Sequence, residues 1–141
     1  MRRPEPNRDP AGGQLVFTYR RTHAERLAAG ELRDVSAGAR AAGFRWPLAV
    51  SARLWRDVET LPTASRGHET PRTRWQHLFL LAAAAAAQVQ REQRQETEIN
   101  VVLRTSDAPD RSREHIKTLR LHLEKVEEAP GKAFSLEYKG E

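Results

Sequence analysis

Five histidines, His23, His68, His77, His115 and His122, are the side chains of this sequence best suited to proton transfer or metal ligation near neutral pH. No two stand at the His-x-x-x-His or His-Glu-x-x-His spacing that would bring two imidazoles onto one helical turn. Structural histidines, with no metal and no cofactor, are therefore the expectation. His68-Glu69 is an adjacent base and acid with no nucleophile motif beside it. There is no cysteine, which excludes thiolate catalysis, disulfides and cysteine-ligated zinc. There is also no Gly-x-Ser-x-Gly elbow, and Gly12-Gly13 lacks the Lys-Ser/Thr ending of a phosphate loop. Asp107 with Asp110 and Glu127 with Glu128 fall in loop or turn-adjacent stretches, where solvated carboxylates are ordinary. The inventory points away from an enzyme.

Binding chemistry remains. Arginine outnumbers lysine 20 to 4 and alanine occurs 20 times; a GC-rich genome produces both biases, so the net charge of +5 carries less meaning than its distribution. Residues 1–94 hold 16 basic and 9 acidic groups and residues 95–141 hold 8 and 10, which assigns any positive field to the first two thirds. The candidate contacts to phosphate or to an acidic surface are Arg20, Arg21, Arg53, Arg56, Arg72 and Arg74. Arg72 and Arg74 stand near a helix start whose free amides also attract anions. Arg45-Trp46 joins a fork of donors to a stacking surface. Trp55 and Trp75 fall on apolar helix faces and read as core, whereas Trp46, between Arg45 and Pro47, reads as an exposed anchor.

These residues need elements to hold them. Thr22 and Glu25 have the spacing of a capping box for a short helix that Gly30 ends. Ser36 reads as the N-cap of a second helix running through Ala42, with Gly43 as its stop. Leu48-Ala49-Val50 leads into Ser51, the N-cap of an amphipathic helix bearing Leu54, Trp55, Val58 and Leu61, with Arg53, Arg56 and Asp57 on its wet side. Thr70 and Pro71 open the clearest helix, Arg72 to about Arg94, whose Ala82–Ala87 run is apolar all round and predicts a buried centre.

Later the period changes to two: Ile99, Val101 and Leu103 alternate, as do Leu119, Leu121 and Leu123, and Phe134, Leu136 and Tyr138. Residues 115–126 also fit a helix through Ile116, Leu119, Leu123 and Val126; strand is preferred because a helix would expose Leu121. Pro130-Gly131 suits the central positions of a type II turn. The most apolar run, Leu78–Ala87, is ten residues against about 20 for a membrane span, and residues 1–14, rich in Pro, Gly and Arg, read as a flexible tail. A cytoplasmic location with no membrane partner is expected.

The stretch from Phe17 to Val58 resembles a bacterial domain family of unknown function common on plasmids, phages and integrative elements. The residues that carry the resemblance are Tyr19-Arg20-Arg21, the run Ala29-Gly30-Glu31-Leu32-Arg33-Asp34-Val35-Ser36, Ala42-Gly43-Phe44-Arg45, Pro47-Leu48-Ala49-Val50 and Trp55. It implies a context rather than a chemistry, since the family has no catalytic set to carry over. Proteins of such neighbourhoods are often accessory factors, including inhibitors of host defence.

The expected architecture is a disordered tail over 1–14 and one α+β domain over 15–141, with N-terminal helices, one of them long and alanine-rich, packed on a C-terminal three-stranded antiparallel meander. The expected partners are a host protein complex or nucleic acid, with a second copy able to cover a free sheet edge.

Overall fold

A computed structural model describes residues 21–141; the tail expected over 1–14 and the candidate Arg20 lie outside the described residues. In chain order the elements are α1 (His23–Ala28), β1 (Leu32–Asp34), α2 (Ser36–Ala41), β2 (Leu48–Ser51), α3 (Ala52–Glu59), α4 (Pro71–Arg91), β3 (Glu96–Val102), β4 (Ile116–Lys125) and β5 (Lys132–Tyr138).

The sheet corrects the expected architecture. It has five strands in the order β1-β2-β5-β4-β3, with β2 parallel to β5 and every other pair antiparallel; it is not a three-stranded antiparallel meander. Two strands come from the helical half of the chain. β1 is three residues long, two of them charged, too short to show a period. β2, Leu48-Ala49-Val50-Ser51, is buried at every position, so it has the unbroken apolar run of a strand covered on both faces rather than alternation. Phe134 fastens the parallel pair by donating its backbone N–H to Pro47 O at 2.9 Å.

Alternation sends Leu119, Leu121, Phe134 and Leu136 to one face, where they meet Leu78, Phe79, Ala82, Ala86 and Val89 of α4 in a single core. α4 is 21 residues, about 31 Å at 1.5 Å per residue. It opens as the sequence predicts, with Pro71 first and Thr70 and Thr73 capping each other reciprocally, and it ends at Arg91 rather than Arg94. Its centre is buried on one side only: Ala82 and Ala86 are inside, while Ala84 is exposed and Leu80 is 60% exposed. Four consecutive large residues, Leu78 to Leu81, turn through about 300° of helix, so no single core can cover them all.

Two helix ends match expectation, with Gly30 at φ +79° and Gly43 at φ +97°, the left-handed region that glycine enters without a steric penalty. Ser36 departs from it. The N-cap of α2 is Val35 without a side-chain bond, and Ser36 Oγ instead accepts from Leu48 N at 2.9 Å, tying α2 to β2. The reversal before β5 also differs, because Gly131 N–H donates to Glu128 O at 2.7 Å and the Ala129-Pro130 peptide is cis. Pro130 is thus the third residue of that turn rather than the second.

The other sheet face is polar, and α1 lies across part of it. His23 N–H donates to Glu124 Oε2 at 2.8 Å, and Arg26 forms a two-pronged pair with Glu137 at 2.8 and 2.9 Å, which raises the Arg26 pKa. The His23 side chain is buried with Nδ1 unpartnered. Burial, aided by Arg26 and opposed by Glu124, Asp34 and Glu128, lowers its pKa below 6.5. The fold therefore favours the neutral imidazole, and as pH falls through about 6.5 the unfolded chain takes the proton first. Stability present at neutral pH should decline on acidification towards the lowered value. A melting series from pH 7.5 to 5 should show that decline, and His23→Gln should flatten it; an unchanged slope in the variant would assign the effect to other groups.

Candidate interaction surface

α2, α3 and the first half of α4 enclose an open groove of about 820 Å³. Its wall on the α2 side is made of small residues, Ala37, Gly38 and Ala41, and its aromatic side of Trp55, Trp75 and Phe79, with Leu80 at the lip. The small wall has a packing reason at Gly38, where a Cβ would sit 3.2 Å from the Phe79 ring, a contact tight enough that the ring would have to give slightly. The aromatic side is held by specific contacts. Trp75 stacks on Phe79 with centroids 5.3 Å apart and planes at 24°. Its indole Nε1–H donates to Glu59 at 2.6 Å, and the Arg33 guanidinium lies 3.9 Å from the Trp55 ring. Both tryptophans are half-buried: they pack against the core, as their helical spacing suggested, and turn their open faces to the groove. A concave apolar surface with a few fixed polar groups is the geometry of a binding site.

The residues singled out from sequence scatter around the molecule. Arg72 alone lies on the groove rim. Arg45 is exposed and has no ion-pair partner among the described residues. Trp46 is not the exposed anchor expected: it is half-buried, edge-on to Phe44 at 5.9 Å and to Phe134 at 5.5 Å, closing the end of the core. Phe134, 88 residues away in sequence, gave no local sign of that.

Arg74 is buried, its Nη1 donating to Thr60 O at 3.3 Å and Nη2 to Arg104 O at 2.6 Å, with Glu69 3.9 Å from Nε. It is a clasp between the end of α3 and the loop after β3, not an anion contact. Burial pulls its pKa down from the ordinary arginine value.

Arg21, Arg53 and Arg56 come together in a second, polar cleft of about 910 Å³. Five arginines line it, but so do five glutamates, so the local charge cancels. Arg21 is paired with Glu31, and Arg53 rests 5.2 Å from the Tyr138 ring. Burial and a 2.5 Å bond donated to Asp57 raise the Tyr138 pKa. Glu141 accepts from Ser51 Oγ at 2.8 Å at the start of α3, so a carboxylate already occupies the place where a helix start could receive a phosphate.

Among the described residues no three His, Asp or Glu side chains form a metal-ligating group, and no helix is long and apolar enough to cross a membrane. Compared with family models, characterised proteins and solved structures, the chain matches none.

Proposed function

We propose that this chain is a non-enzymatic accessory protein of a mobile genetic element that acts by binding a macromolecule, and that a protein partner seats on the groove between α2 and α4. The observation that carries the reading is the open apolar surface of exposed Leu80 and half-buried Trp55 and Trp75, since apolar surface left in water on a folded domain marks contact sites. The resemblance over residues 17–58 suggests the setting, a component of a host defence system as the partner. The alternative, a nucleic-acid-binding module using arginines of residues 20–74, has less support. Four of its arginines meet five glutamates in the polar cleft, and Arg74 is inside the fold, whereas phosphate binding needs an uncompensated positive track.

Capture from host lysate on immobilised protein tests the choice. Leu80→Glu should weaken retention of the specific partner at least ~30-fold, the loss typical of a central apolar contact. Arg53→Glu with Arg56→Glu should leave retention intact. Loss of nucleic acid or protein with the arginine pair but not with Leu80→Glu would overturn the proposal.

A further inference from the structure

The geometry points to a second copy of this chain as the occupant of the same groove when no other partner is present, so that the protein is a two-fold dimer closed face to face through α4. This rests on the reading of the groove as the contact surface, and three observations favour a second copy over other occupants.

The patch carries both halves of a fit. Leu80 projects at 60% exposure beside a hollow walled by Ala37, Gly38 and Ala41. A two-fold interface uses the same patch twice, so an antiparallel crossing of the two α4 helices centred between Gln76 and Leu80 seats each Leu80 in the other copy's hollow.

The rim is neutral. Arg33 and Arg72 stand against Asp34 and Glu59, whereas the chain as a whole carries +5. Like-charged copies repel over most surfaces, and a neutral patch is where they can approach.

The apolar surface also continues past the groove. Beyond Leu80, the outward side of α4 presents exposed Ala84 and half-buried Ala87, small residues that allow a second helix close approach over the next two turns.

Sedimentation velocity from 1 to 200 µM tests this with three chains. Wild type should show a reversible monomer–dimer exchange. Leu80→Glu should raise the dissociation constant about 100-fold, because a two-fold interface meets the charge twice. Val102→Glu, at a residue 70% exposed on the opposite sheet face, should behave as wild type. Far-UV circular dichroism checks that each variant is folded, and Ala37→Arg in the α2 wall replaces Leu80→Glu if that variant is not. A wild type that stays monomeric at 200 µM overturns the dimer, as does a dimer that survives Leu80→Glu or is broken by Val102→Glu. A monomeric wild type that still captures a lysate protein through Leu80 would sink the dimer alone. A Leu80-dependent dimer that captures nothing would sink the proposed function alone.

Discussion

Phe134→Ala should destabilise the fold by about 3–5 kcal/mol, the cost of emptying a large aromatic site in a packed interior. Phe134 is fully buried in β5, the strand between β2 and β4, and meets Phe44 edge-on at 5.8 Å and Trp46 at 5.5 Å. The alanine would loosen a three-ring cluster that also anchors the parallel pair, since Phe134 is in register with Leu48. Urea unfolding followed by tryptophan fluorescence reads this directly. A loss below about 1 kcal/mol, the scale of an ordinary surface-to-mild substitution, would mean that β5 does not sit against β2.

The second large effect is expected at Arg74. Arg74→Ala removes the donors of the Thr60 and Arg104 carbonyls together, and each polar group left buried without a partner costs about 1–3 kcal/mol. Because Thr60 is exposed and Arg104 half-buried, water can reach the freed carbonyls, and the expected loss is at the lower end, about 2–3 kcal/mol. Arg74→Lys should recover little, since one ammonium cannot reproduce a planar fork donating to two carbonyls on separate loops. The comparison uses the same urea titration, and a fully stable lysine variant would show that charge rather than fork geometry holds the clasp.

What could be read from the sequence was local. Caps at Thr22, Ser51 and Thr70, and glycine stops at Gly30 and Gly43, are decided within four residues, and the structure has them. The alternation of Leu119, Leu121 and Leu123 correctly chose strand for residues 116–125. β1 and β2 escaped because their pairing is decided elsewhere: Val50 becomes a strand residue by lying opposite Leu136, 86 positions later. The functional residues divide the same way. Arg72 was legible as an exposed residue at a helix start, but the groove it borders was not, because Trp55 and Trp75 show core-like spacing and only the placement of α2 leaves their faces open. Arg74 was misread as solvent-facing because nothing in the sequence announces the two carbonyls that surround it. One local signal did exist: four large apolar residues in a row on α4 force one of them outward, and Leu80 is that residue.

Hydroxyl-radical footprinting of side chains tests the central claim, that contact is made through the α2–α4 groove, most directly. The dilute chain should be oxidised at Trp75 and Leu80, and both should become protected, by about tenfold or more for a buried contact, in the associated state, whether with a captured partner or with a second copy at high concentration. His122, in the polar cleft, should keep its free-state reactivity. Protection of His122 with Trp75 and Leu80 unchanged would place the contact on the charged sheet face and contradict the account.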